Sequence, residues 1–410
     1  MRVVFLNRFF WPDISATSQL LADLAFGLAE DECRQVIVIT SRLRYDGSGR
    51  AWPAREEAQG VSIFRVWTSG FGRARVAGRA LDYLTFIISA AWTLARTAGR
   101  GDVVVIMTDP PMLSLVAHAV ARLKGARVVN WLQDIFPEVA CALGHAPGPI
   151  RLAAAVLAWG RNLGLRRADA NVVIGRRMAA RVASLTGGQG RPIEICNWAD
   201  GDVVAPIDDH PAAGLRAAWG LTDAFVVAYS GNLGRAHDVD TLLDGMQRLQ
   251  HDPARRRVVW LLVGGGAQFR ILQAEVVRHG LRDVVFRPYQ PRPLLAQSLG
   301  VADVHLISLQ PALEGLMVPS KLYGILAAGR PALFIGALDG EVARVLAEIG
   351  CGATVAPCDG AALAGHVRAW CDDPERIAEM GRRARAAFVR QYDKPQALAR
   401  WRALLDRFGA

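Results

Sequence analysis

Lysine is almost missing from this sequence. The chain of 410 residues has a formal net charge of +10, yet only Lys124, Lys321 and Lys394 stand against forty-five arginines. A merely solvated basic position would here be Arg, so Lys321 marks a place where a compact ammonium is wanted. Paired cysteines are lacking too. Cys33, Cys141, Cys196, Cys351, Cys358 and Cys371 form no CxxC and keep no metal-ligand spacing against the eight histidines, which argues against a zinc site and suits a reducing cytoplasm. The opening MRVVFLNRFFWPD runs straight into a strand-like segment and a turn, without the apolar core and small-residue cleavage site of an export signal. The most apolar stretch, Leu84 to Ala95, is about half the ~20 residues of a membrane span. Its flanking arginines, Arg73, Arg75 and Arg79 before it and Arg96 and Arg100 after it, suit a helix lying on an anionic bilayer and equally a buried helix with solvated ends.

Several chemistries lack their motifs. No GxxxxGK[ST] is present, nor HExxH, nor GxSxG, which excludes a P-loop enzyme and leaves no local sign of a zincin or a serine hydrolase. The turn NRFFWPD after the first strand has no glycine, and Phe269 stands where a dinucleotide fingerprint beginning at Gly264 needs its third glycine. A nicotinamide dehydrogenase is therefore disfavoured. The positive charge is spread along the chain without the aromatic-interleaved basic cluster of single-strand binders, so no nucleic-acid partner is expected.

What is present is a long alternation. β-branched runs at Val3 to Leu6, Val36 to Ile39, Val103 to Ile106, Val128 to Trp131 and Ala170 to Ile174 are separated mostly by helical patterns. After a polar stretch at residues 198–212 the alternation restarts at Phe225 to Tyr229, Val258 to Val263, Val284 to Arg287, Val304 to Ile307 and Ala332 to Ile335. This is an α/β pattern with two parallel sheets. The expected domains are residues 1–200 and 201–390, with a helix over 391–410 packing back on the first. Ligands of such sheets bind beyond the carboxyl ends of the strands, so the turns there are where chemistry is sought.

The most informative turn is EGLMVPSKLYGILAAGRP, from Glu314 to Pro331. Pro319, Ser320 and Lys321 open a short helix in which Ser can cap, Pro costs no hydrogen bond, and N–H groups with an added ammonium favour an anion. An ordinary capped surface helix would look similar. Ser230, Gly231, Asn232, Leu233, Gly234 and Arg235 form a second such turn, where glycines admit a phosphate to the backbone and Arg235 can pair with it. His237 follows, close enough to matter. In the first domain VVNWL runs into Gln133, Asp134, Ile135, Phe136, Pro137 and Glu138. Asp134 can accept a hydrogen bond from a hydroxylated ligand or act as a base, while Glu138 reads as a first-turn helix acid. His118 reads as a packed residue on a helix. The DxD triplets at Asp200 to Asp202 and Asp238 to Asp240 read as linker and as a helix-start charge pair, with a metal on a nucleotide sugar as the alternative.

Together FFWPDISATSQLLADLAFGLA, WLQDIFPEVACALG, YSGNLGRAHDVDTLL, LLVGGGAQFRILQ with VVFRPYQP, and the Glu314 segment resemble the retaining glycosyltransferases of family 4, within the group for capsule, exopolysaccharide and colanic-acid biosynthesis. The resemblance spans almost the whole chain. It implies a GT-B fold, two Rossmann-like domains facing an interdomain cleft, and a metal-independent hexosyltransferase needing no cofactor. The sugar-nucleotide donor, expected to be UDP-linked, would lie on the second domain and a lipid-linked or polysaccharide acceptor on the first. Carried over, Glu314 matches the first glutamate of the E-x7-E motif, which contacts the donor sugar, but the second falls on Gly324. Asn232 and His237 align with the usual Arg and Lys that face the diphosphate, so Arg235 and Lys321 would supply that charge instead. Gly231, Gly234, Gly264, Gly265, Pro319, Ser320 and Leu322 complete the donor side, with Tyr289 and Gln290 where the base is read. Gln133 takes the place of a first-domain histidine, and Ser15, Ala16 and Thr17 take that of a glycine pair, on the acceptor side. The expected location is the cytoplasm, peripheral to an anionic membrane surface. A sugar-nucleotide epimerase of similar architecture, and a non-catalytic binder of nucleotide sugars or anionic surfaces, remain as alternatives.

Overall fold

The computed structural model describes residues 1–47, 51–72, 76–144, 148–207, 209–250 and 256–409. The chain divides into two compact units. The first takes Met1–Cys196, Gly315–Met317 and Ala397–Ala410, and the second takes Asn197–Glu314 and Val318–Gln396.

In the first unit the strands are β1 (Arg2–Leu6), β2 (Gln35–Ser41), β3 (Arg55–Ala58), β4 (Val61–Val66), β5 (Val103–Met107), β6 (Arg127–Trp131), β7 (Ala170–Val173) and β8 (Pro192–Glu194). They form one sheet in the order β3-β4-β2-β1-β5-β6-β7-β8, parallel except where β3 pairs antiparallel with β4. Its helices are α1 (Ala16–Ala29), α2 (Val76–Thr97), α3 (Leu113–Leu123), α4 (Glu138–Ala142), α5 (Gly148–Arg167) and α6 (Arg176–Thr186). The central strands are continuous apolar runs because helices cover both faces of such a sheet. Val3, Val4, Phe5 and Leu6 of β1 are all fully buried.

The second unit begins with α7 (Asp209–Ala218) and β9 (Phe225–Asn232), followed by α8 (Asp240–Gln250), β10 (Val258–Gly265), α9 (Ala267–Arg278) and β11 (Val284–Arg287). Then come α10 (Leu295–Gly300), β12 (Val304–Ser308), α11 (Lys321–Ala327), β13 (Ala332–Ile335), α12 (Glu341–Ile349), β14 (Gly352–Val355), α13 (Gly360–Cys371) and α14 (Pro374–Ala387). Its six strands are all parallel, in the order β11-β10-β9-β12-β13-β14. Every strand expected from the sequence is found, and β3, β4, β8 and β14 are additional.

The terminal helix α15 (Lys394–Gly409) starts in the second unit and is counted with the first from Ala397 onward. There Trp401 meets Trp131 edge to face at 4.9 Å between ring centroids, both fully buried. Asp200, read as linker, accepts from Lys394 Nζ at 3.0 Å, and Asp238 caps α8 by accepting the Thr241 N–H at 2.9 Å. Among the described residues no helix is long and apolar enough to cross a membrane. Arg73 and Arg75 lie outside the described residues. Because Trp401 fills the interior of the first unit, Trp401→Ala should cost about 3–5 kcal/mol, read as a lowered urea midpoint by circular dichroism; an unchanged midpoint would mean that α15 is not part of that core.

Candidate active site

Two turns at the carboxyl end of the second sheet are pressed together. β9 and β10 pair in register through Gly231 with Gly264 and Asn232 with Gly265. Gly231, Gly264 and Gly266 have φ of 126°, 135° and 122°, a backbone region that only glycine enters at low cost. A side chain at Gly264 would strike the Gly231 carbonyl, and one at Gly231 would come 2.8 Å from Lys321 Cε. The glycines therefore do more than turn the chain: they leave the space in which Lys321 lies.

Lys321 Nζ sits 4.9 Å from the centroid of the Tyr229 ring and 3.5 Å from the Asn232 carbonyl. The Tyr229 hydroxyl donates to that same carbonyl at 2.8 Å. Burial lowers the Lys321 pKa to about 8, so below that pH the site holds a poorly hydrated ammonium, a strong attractor of a phosphate. His237 is different. Burial first, then the Lys321 charge, lowers its pKa to about 4, against the opposing carbonyls of Ser308 and Asn232. Its ring is neutral near pH 7, with Nδ1 2.7 Å from the Ser308 carbonyl. His237 thus supports the turn and supplies no charge. Arg235 is exposed on the turn, whose backbone is held by Gln310: Nε2 donates to the Arg235 carbonyl at 3.0 Å and the Gln310 N–H to Ala236 at 2.8 Å.

The start of α11 departs from expectation. Ser320 has helical φ and ψ of −64° and −18° and makes no side-chain cap. A serine already inside the helical turn cannot reach back to cap it. The N–H groups of Leu322 and Tyr323 are taken by the carbonyls of Pro319 and Ser320 at 3.3 Å each, leaving the Lys321 ammonium as the stronger anion-attracting feature. Pro319 and Leu322 are buried, so their side chains face the interior. Glu314 accepts the Glu341 N–H through Oε1 at 2.7 Å, at the start of α12, where Gly340 stands at the N-cap position and supplies no side-chain cap. A side-chain carbon at Gly340 would come 2.6 Å from Glu314 Oε2. Tyr289 is exposed beside Gly265, and Gln290 Nε2 donates to the Pro288 carbonyl at 2.9 Å.

In the first unit Asp134 lies just beyond β6 with Gln133 beside it. A cavity of about 30 Å³, room for a water or a hydroxyl group, is lined there by Thr108, Asn130, Asp134, Phe136 and Arg161 among others. Asp134 Oδ1 is buried without a hydrogen-bond partner. Burial raises the carboxyl pKa to about 6, a hydrogen bond from Thr108 opposes the rise, and the Asp109 charge adds to it. Glu138 accepts from Arg161 at 2.5 Å. Ser15 is buried and caps α1, accepting the Ser18 N–H at 3.2 Å, with Ala16 and Thr17 in the first turn that follows. His118 is buried in α3, and that burial lowers its pKa.

Residues 16–198 match the glycosyl transferase 4-like domain. The chain is 28% identical over 331 residues to a probable glycosyltransferase, WbjE, of Pseudomonas aeruginosa, covering 79% of each. It is 23% identical over 338 residues to the putative colanic acid biosynthesis glycosyl transferase WcaI of Escherichia coli strain K12, covering 80% of this chain and 82% of that one. These matches make the chain a glycosyltransferase with a glycosyl transferase 4-like domain over residues 16–198. Its fold is GT-B, and it is similar at a TM-score of 0.71 and 16% identity to the Anabaena Alr3699/HepE structure with UDP-glucose, covering 99% of this chain and 100% of that one.

Sequence reasoning about this glycosyltransferase missed Tyr229, whose ring lies under Lys321; Ser308 and Gln310, which hold the turn from Arg235 to Asp238; and Thr108 and Arg161 around Asp134. Tyr229 gave the one available signal, an aromatic ending the apolar run of β9 just before its glycine. Gly231→Ala should displace Lys321 and weaken UDP binding by roughly tenfold or more. Gly365→Ala, in α13 with nothing within 4 Å of the added carbon, should bind like wild type in the same calorimetric titration; equal loss in both would show that the space at Gly231 is irrelevant.

Proposed function

We propose that this glycosyltransferase moves a hexosyl group, with retention, from a UDP-sugar to a lipid-linked or polysaccharide acceptor in cell-surface glycan biosynthesis. The observation that carries the donor half is the Lys321 ammonium over Tyr229 in space left by Gly231. The Anabaena structure contains UDP-glucose, and the colanic-acid name of one relative supports the glycan assignment. Gly231, Gly234, Gly264 and Gly265 let the diphosphate approach the backbone, and Tyr289 and Gln290 lie on the turn proposed to read the base.

In the reaction the bond from the anomeric carbon to the diphosphate oxygen breaks and its electron pair leaves with the nucleoside diphosphate. Lys321 and Arg235 stabilise that charge as it develops. The acceptor hydroxyl attacks the same face, and its proton passes to the departing phosphate. Glu314, whose carboxylate holds the start of α12, contacts the donor sugar. The reaction proposed draws its charge stabilisation from Lys321 and Arg235, with neither metal nor cofactor.

Asp134 positions the acceptor hydroxyl on the first unit. Its carboxyl, raised from 3.8 to about 6, binds a proton more tightly folded than unfolded. Stability from this group is complete below the unfolded value and is lost as pH rises through about 6. Asp134→Asn should therefore melt higher than wild type at about pH 7.5 and lose that advantage near pH 4. It should also lower kcat by roughly a hundredfold and remove an activity limb near pH 6. A β-linked product from an α-linked UDP-sugar, read from the anomeric proton coupling by NMR, would contradict retention; wild-type kcat in Asp134→Asn would remove Asp134 from the reaction.

A further inference from the structure

α2 is apolar on two opposite sides. Phe86, Ala90 and Leu94 are fully buried in the core over the first sheet. Leu81, Leu84, Ile88 and Trp92, spaced three and four residues apart, form a second stripe turned to solvent, with Ile88 60% and Trp92 61% exposed. The helix contains one acid, Asp82, and it is buried. Nothing on the outward stripe repels an anionic surface.

Asp82 fixes what stands beside the stripe. Its carboxylate accepts the Ser69 hydroxyl at 2.8 Å and the N–H groups of Phe71 and Gly72 at 3.0 Å, and pairs with the buried Arg8 at 3.8 Å. These contacts bind the loop after β4 to the first turns of α2, where Phe71 packs against Gly78, and a side-chain carbon at Gly78 would come 2.9 Å from Phe71 Cβ. Phe71 is 66% exposed beside Gly78, one turn before Leu81, and partly buried hydrogen bonds to Asp82 hold the backbone there. Toward the other end the Arg96 guanidinium lies 4.2 Å from the Trp92 ring centroid, and exposed Arg100 follows. α3 and α5, in the same part of the unit, expose Val116 and Leu123, and Val156 and Trp159.

We propose that this face of the first unit docks on an anionic lipid bilayer, with Phe71, Leu84, Ile88 and Trp92 entering the acyl boundary and Arg96 and Arg100 lying among the headgroup phosphates. The charge decides the occupant: a stripe without exposed acids, ended by an arginine stacked on a tryptophan, on a chain of net charge +10, complements acidic headgroups. An acceptor carried on lipid would then be met at the surface that holds it. The docking does not depend on the donor seat in the second unit.

The test is co-sedimentation of the purified protein with vesicles of phosphatidylcholine alone and of an equal mixture with phosphatidylglycerol, together with light scattering for its mass in solution. Wild type should bind the mixed vesicles, and Ile88→Glu/Trp92→Glu should lower the bound-to-free ratio roughly tenfold without changing the melting temperature. Arg96→Glu/Arg100→Glu, which leaves the apolar stripe intact, should lose the preference for the anionic mixture, and it reads the same face if the first variant folds poorly. Failure of wild type to bind, or equal binding by both variants and wild type, would overturn the proposal. So would a wild-type dimer that ignores vesicles and that Ile88→Glu/Trp92→Glu splits, since the stripe would then be a contact between copies.

Discussion

The arrangement in the second unit depends on the close approach of two strand ends. Gly231 and Gly264 face each other in register in a backbone conformation that a side chain would strain, and the room they leave is filled by Lys321. An ammonium there gives up much of its hydration, as its lowered pKa shows, and in return meets the Tyr229 ring face and one carbonyl. Those partners only partly offset the loss of water. The diphosphate proposed to bind there would complete the set. Glu314, proposed to contact the donor sugar, also holds the start of α12 with its carboxylate.

The first unit uses burial in the opposite sense. Asp134 is a carboxylate pushed toward its neutral form, beside a cavity large enough for a hydroxyl group. A hydroxylated acceptor that donated a hydrogen bond to Oδ1 would relieve that cost. In each unit the proposed ligand supplies what the folded chain leaves wanting, a negative charge near Lys321 and a donor near Asp134. Both groups stand at the carboxyl ends of parallel strands, where side chains of the turns can be placed without disturbing the ladder.

Much of this was legible in the residues. Parallel central strands buried on both faces read as apolar runs, so β1, β2, β5 and β6 and their counterparts could be placed, and the scarcity of lysine singled out Lys321. The strands missed are those without such a run: β3 is REEA, β4 alternates as VSIFRV, β8 is three residues long and β14 begins with glycine. Ser320 was misread because the sequence Pro-Ser-Lys does not tell whether the serine stands before the helical turn or inside it. The hold of Glu314 on Glu341 spans 27 positions, and the seat of Lys321 on Tyr229 spans still more, so neither has a local signature. For α2 the sequence offered a bilayer helix and a buried helix as alternatives; one apolar face is packed on the sheet, and a second is turned to solvent.

The most direct test is calorimetric titration of wild type and Lys321→Ala with UDP, GDP and ADP in the presence of a chelator. The account predicts that UDP binds wild type without metal in preference to the other two and loses roughly tenfold or more of its affinity in Lys321→Ala. Equal UDP binding by both proteins would contradict it.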